Sequence, residues 1–282
     1  MMHVFSLYLA PALYSLFLWW FLTGLIMAFY GRGPGTVRWA FVGATAVLLL
    51  AAVGVVVTRE STHTAAVYGA FTCGTLVWAW LIAGYYLGYV TGPDVAGLSQ
   101  PPRAVRDSGA RLRLAFQASL YHELLVLAVC LLLVWLTWSS ANRLALWTFL
   151  ALWIMHGISK LNVLFGVRNF HIEWLPRHMH RLGSLLVHRP VNPLFPWTML
   201  LASLTVWALV ARAVAPETGP SQTVALVLIG FMIFLGMLEQ MLLVLPLPAV
   251  LWGWRVRLLP GHVRARTEVT AHVNHVLPAG SE

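Results

Sequence analysis

Five ionisable side chains stand inside otherwise apolar stretches of this sequence: His122 and Glu123 in one, His156 and Lys160 in a second, and Glu239, followed by Gln240, in a third. Lys160 is the only lysine of the chain. Such groups are costly in an apolar setting unless neutralised, paired or put to use, so each is a candidate site residue. His156 and Lys160 are four residues apart and share one helix face. Three chemistries fit the set. Lys160 could pair with Glu123 or Glu239 in an ion-pair and hydrogen-bond network that fixes helix register. His122 or His156 could be the axial ligand of a tetrapyrrole metal, since neutral imidazole ligates readily. Lastly, His122, Glu123 and His156 could form a metal site with acid/base capability. That reading is the weakest: His122 and Glu123 are adjacent, point about 100° apart on a helix, and belong to no HExxH motif.

The elements that must carry these residues follow from composition. Hydrophobic residues make up 60% of the 282 and charged residues 10%, with a mean hydropathy of +0.78. A soluble domain of this length could not bury so much apolar surface, and the period-two alternation of a membrane barrel is absent. The expected fold is all-α, a polytopic helix bundle in the membrane. Runs of about 20 apolar residues predict seven spans at 4–30, 39–57, 65–90, 114–138, 144–165, 197–214 and 224–245, in a single transmembrane domain. The start MMHVF lacks the basic region of a signal peptide, so the first span is expected to remain. Cys73 and Cys130 fall inside spans and imply no disulfide framework.

Orientation comes from the arginines. Fourteen lie in the loops after spans 1, 3 and 5 and in the tail 255–282, against three, Arg59, Arg143 and Arg212, on the other side. The positive-inside rule then puts the N-terminus outside and the C-terminus in the cytoplasm. Anionic lipid headgroups are the partner this basic face implies, and no nucleic-acid module accounts for the net charge of +9.

The loop 166–193 is the least anonymous part of the chain. Pro176 suits a helix start, and Leu175, Met179, Leu182 and Leu186 recur at helical spacing against Arg177, His178, His180 and Arg181. This predicts a short amphipathic helix on the cytoplasmic surface. Asn162, Asn169, Glu173 and Asn192 are polar residues where the chain meets that interface. At the end of the third span, Gly84, Gly88 and Gly92 repeat every four residues, the spacing that lets helix backbones approach closely along one face.

The segments GYVTGP, SKLNVLFGVRNFHIEWLPRHM, NPLFP and LVLPLPAVLW, set between Trp78 and Trp254, resemble the photosynthetic complex assembly protein PuhE family. The resemblance implies a multi-pass protein of the photosynthetic membrane that supports assembly of reaction-centre and light-harvesting complexes and influences bacteriochlorophyll supply. Its partners would be the subunits of those complexes or their pigments. The chain departs from the family pattern at four places. Leu81-Ile82 stands for a His-Glu pair, Gln240 for a histidine, His156 for an arginine and Arg168 for a proline. Two functions follow: a non-enzymatic assembly factor that aids pigment or apoprotein incorporation, or a membrane enzyme or cofactor-handling protein acting on (bacterio)chlorophyll or carotenoid through the His/Glu cluster. The departures weaken the second.

Overall fold

Seven helices form where the apolar runs predict them. In order they are α1 (Phe5–Ala28, opening on a π turn), α2 (Pro34–Thr58), α3 (Thr64–Leu87), α4 (Ser108–Thr137), α5 (Leu144–Phe165), α6 (Phe195–Ala213) and α7 (Pro220–Val244), with a 3₁₀ segment, Arg177–Leu185, between α5 and α6. The computed structural model describes residues 4–93, 107–170, 172 and 175–245. All seven helices are long and apolar enough to cross a membrane, and the protein is an all-helical, multi-pass membrane protein.

The helix ends are written locally. Proline opens α2 and α7 at Pro34 and Pro220, where its missing N–H costs nothing. His63 Nδ1 accepts the Ala66 N–H at 3.1 Å at the start of α3. The Asp107 carboxylate accepts the N–H groups of Gly109 at 3.3 Å and Ala110 at 2.8 Å at the start of α4. That cap lengthens α4 beyond the apolar run, to Ser108 rather than Leu114. Arg111 therefore belongs to the helix and not to a loop. It is 3% exposed, donates to the Leu164 carbonyl at 3.4 Å and to Ser108 Oγ at 3.1 Å, and so covers the C-terminal end of α5.

Three helices make the centre. α3, α5 and α7 pack against one another, α1 lies over α3 and α7, α2 packs chiefly on α3, α4 chiefly on α5 and α6 on α7. Buried residues make up 50% of the span in α3, 44% in α7 and 28% in both α4 and α5 but 17% in α1, α2 and α6, which sets those last three on the outside. Phe71 of α3 and Phe149 of α5 are wholly buried, and Trp78 meets Phe149 edge to face at 5.7 Å.

The glycine repeat plays a different part from the expected one. α3 stops at Leu87 because Gly88 turns left-handed, φ 73°, and caps the helix with its N–H on the Gly84 carbonyl. Gly92 lies beyond the helix, where a β-carbon added to it would stand 2.8 Å from the α-carbon of Gly88. Only Gly84 remains on the face, at ordinary distance from the Phe41 ring. Backbones approach most closely instead at Gly74, where an added β-carbon would overlap the Ala145 carbonyl of α5.

The amphipathic surface helix forms as 3₁₀ rather than α. With three residues per turn, the inward set is Met179 and Leu185 with half-buried Leu182 between them, so Leu185 takes the place expected for Leu186. Arg177, His178, His180 and Arg181 are exposed as expected. The His178 ring packs on Gly88 along one side, and this partial desolvation of an otherwise exposed residue, followed by the charge of His180, lowers its imidazole from the usual range. Glu173 and the tail 255–282 lie outside the described residues.

Candidate functional site

α5 positions the site because it carries Lys160 and Asn162 two residues apart, on opposite sides of one helix. Each side chain closes a separate polar knot, and of the six residues expected to meet in one cluster three fall in the first knot, Gln240 in the second, and His156 and Glu239 in neither.

The first knot joins α3, α4 and α5. Lys160 Nζ donates to Glu123 Oε1 at 2.9 Å, with about a quarter of each side chain exposed, 26% and 27%. The other carboxylate oxygen, Oε2, accepts the Trp153 indole N–H at 3.3 Å. The ammonium also stands 4.5 Å over the Tyr85 ring, whose negative face adds a cation–π contact. Tyr85 is held in turn by a 3.0 Å hydrogen bond between its hydroxyl and Ser119 Oγ and by the His122 ring at 4.5 Å. His122 is 1% exposed, and its Nδ1 meets Thr91 Oγ1 at 3.4 Å, where the chain after Gly88 folds back on α4. The Lys160 pairing left open between two carboxylates is thus made with Glu123.

The second knot joins α5, α6 and α7. Asn162 is wholly buried and donates through Nδ2 to Gln240 Oε1 at 3.0 Å and to Thr198 Oγ1 at 3.3 Å. Asn192 donates to the carbonyls of Asn162 at 3.2 Å and Gly166 at 3.1 Å. Its Oδ1 accepts the Leu194 and Phe195 N–H groups at 2.9 and 3.1 Å, so one side chain ends α5 and begins α6. Asn169 is fixed to the last turn of α7, its backbone N–H on the Leu243 carbonyl at 2.9 Å and its Nδ2 on the Leu242 carbonyl at 2.8 Å. Glu239 turns out of this knot, exposed and within electrostatic reach of the Tyr86 phenol.

His156 enters neither knot. Its ring stands edge-on to Trp78 at 5.5 Å and to Tyr86 at 6.4 Å, and its Nε2 is buried with no hydrogen-bond partner. Among the described residues, no three His, Cys, Asp or Glu side chains converge as a metal site requires. The geometry stores opposite charges and hydrogen bonds between helices, and it leaves one buried imidazole nitrogen, Nε2 of His156, without a hydrogen-bond partner.

Sequence reasoning missed Tyr85, Thr91, Trp153 and Thr198. Trp153 was within reach, since a wheel of α5 places 149, 153, 156 and 160 along one side. It also missed a third knot at the opposite face. There Asn142 Nδ2 donates to the carbonyls of Thr58, Ser61 and Ala66 at 3.2, 3.0 and 3.4 Å, and its Oδ1 accepts the Leu144 N–H at 3.1 Å.

The chain was compared with known proteins. No solved structure matches it. A protein of Rhodobacter capsulatus described as an uncharacterized 30.4 kDa protein in the puhA 5' region is 28% identical over 252 residues, which covers 86% of this chain and 89% of that one. The model of a family described as a protein of unknown function, DUF3623, matches residues 5–260. The chain, with its two interhelical knots on either side of α5, belongs to the DUF3623 family.

Proposed function

We propose that this protein is a membrane-embedded assembly factor for bacterial photosynthetic reaction-centre and light-harvesting complexes, aiding incorporation of pigment or apoprotein helices. The observation that carries the reading is the near full-length relative whose gene lies in the puhA 5' region, which agrees with the PuhE-family segments of the sequence. The geometry supports it from another side. The polar residues shared with the family pattern, Lys160, Asn162 and Asn169, hold helices together, while α2, α4 and α6 present bare apolar faces on which other transmembrane helices could pack. Leu50 on α2, Leu131 on α4 and Leu204 on α6 are 71%, 60% and 52% exposed within their spans. Photocrosslinking groups placed singly at these positions in phototrophic membranes should capture a reaction-centre or light-harvesting subunit from at least one face. Capture of lipid alone from all three, in cells actively assembling the complexes, contradicts the proposal.

A second reading, a cofactor-handling protein or enzyme acting on (bacterio)chlorophyll or carotenoid, draws on one observation, the unpartnered Nε2 of His156. Of the two histidines considered as ligands to a tetrapyrrole metal, His122 is engaged with Thr91 and Tyr85, so His156 is the better donor. A macrocycle bound there would have to displace the Trp78 and Tyr86 rings.

A further inference from the structure

The arginines of the Asn142 face and those of the loop between α5 and α6 are used differently. On the face of Asn142, each is satisfied within the protein. Arg59 pairs with Glu60 at 3.2 Å and donates to the Leu136 carbonyl at 3.1 Å, Arg143 donates to the Ser140 carbonyl at 3.4 Å, and Arg212 pairs with Glu217 at 2.7 Å. On the loop between α5 and α6, Arg168, Arg177, Arg181 and Arg189 are exposed, and none has an ion pair or side-chain hydrogen bond among the described residues.

Two of these four are placed side by side by the backbone. Val167 and His188 form an isolated parallel bridge, so the residues that follow them, Arg168 and Arg189, come into neighbouring register. Gly166 makes room for this. At φ 115° it has no β-carbon, and one placed there would stand 3.0 Å from Cγ and 3.1 Å from Cβ of Arg189. The segment is also tied at both ends, through the Asn192 bond to the Gly166 carbonyl and the Asn169 bonds to α7. Two guanidinium groups brought into neighbouring register repel each other unless an anion lies between them. A rigid platform that maintains such a pair is stabilised when an anion bridges it, and guanidinium forks suit the oxygens of phosphate.

Position selects the source of that phosphate. The platform sits on the end of α5 and the last turn of α7, at the depth where a membrane helix leaves the hydrocarbon. Exposed apolar side chains border it, Leu161 at 37%, Val191 at 47% and Trp197 at 66%. We propose that Arg168 and Arg189 clamp the headgroup phosphate of an anionic phospholipid whose acyl chains lie along this apolar border.

The test uses the full chain in neutral detergent, with bound lipid counted by native mass spectrometry. Phosphatidylglycerol should be retained and phosphatidylcholine not. At about a factor of five for each arginine near the surface, R168Q with R189Q should weaken phosphatidylglycerol binding roughly thirty-fold. R32Q with R38Q, on the same face outside the platform, should leave it unchanged. If the double variant does not fold, R168Q and R189Q made singly should each weaken binding. Equal retention of the two lipids, unchanged binding in the single and double variants, or equal loss in the R32Q with R38Q control overturns the clamp. Saturation by inorganic phosphate as strong as by lipid, or preferential capture of a polyglutamate peptide, would overturn the lipid assignment.

Discussion

Lys160 pairs with Glu123 among the described residues, and the local energetics follow from that. Breaking a buried pair leaves an uncompensated charge at a cost of about 3–5 kcal/mol, and this pair, a quarter exposed, should fall near the lower end. Lys160→Met is therefore expected to destabilise the protein by about 3 kcal/mol in a detergent unfolding assay. Adding Glu123→Gln should recover part of the loss, and adding Glu239→Gln should not. Equal rescue by both would mean that Glu239 shares the charge. His122, Glu123 and Lys160 were legible in the sequence because ionisable residues are rare in membrane spans. Tyr85 and Thr91 were not, because residues of these types are ordinary in spans and only the fold reveals which of them reach the cluster. The division of the cluster was hidden for a related reason. Comparable depth on three helices is visible in sequence, but the direction each helix faces is set by packing.

At the scale of elements, apolar runs located the seven long helices of the described residues, and the differences arose where a local polar device overrode hydropathy. The Asp107 cap and the buried Arg111 extend α4 past its apolar run. Gly88 ends α3 before the glycine repeat can act as one face. In the loop, helical spacing was read at the α period while the chain adopted the 3₁₀ one. The glycine that controls helix approach is Gly74, and a pair of substitutions can show it. In Gly74→Ala the new β-carbon meets backbone on α5, which cannot rotate away, so an overpacking cost of about 1–3 kcal/mol is expected. Gly84→Ala meets only the Phe41 ring at 3.6 Å and should be neutral or slightly stabilising, since alanine favours helix. Thermal unfolding of the two purified variants compares them directly, and an equal loss would mean that the α3–α5 contact is wrongly identified as the tight one.

At the scale of the molecule, a core of α3, α5 and α7 is fastened near both faces and surrounded by α1, α2, α4 and α6. The spans and the fold class were readable from composition and run length, whereas the core triad was not, since all seven runs are similarly apolar and burial depends on which of them lie inside. The arginine distribution supports an orientation with the N-terminus periplasmic. Reporter fusions after Arg59, Arg143 and Arg212 should be active outside, and fusions after Arg189 and at the C-terminus inside. The reverse pattern would place the arginine platform away from the cytoplasmic leaflet.

An assembly factor changes how much complex forms, whereas an enzyme of pigment metabolism changes which molecules accumulate. The two are separated by deleting the gene in a phototrophic bacterium that carries it, then measuring membrane levels of reaction centre and antenna together with the masses of all extracted pigments. The expected result is a loss of both complexes with chemically unchanged mature pigment. The contradicting result is a new tetrapyrrole or carotenoid intermediate accumulating in the deletion strain.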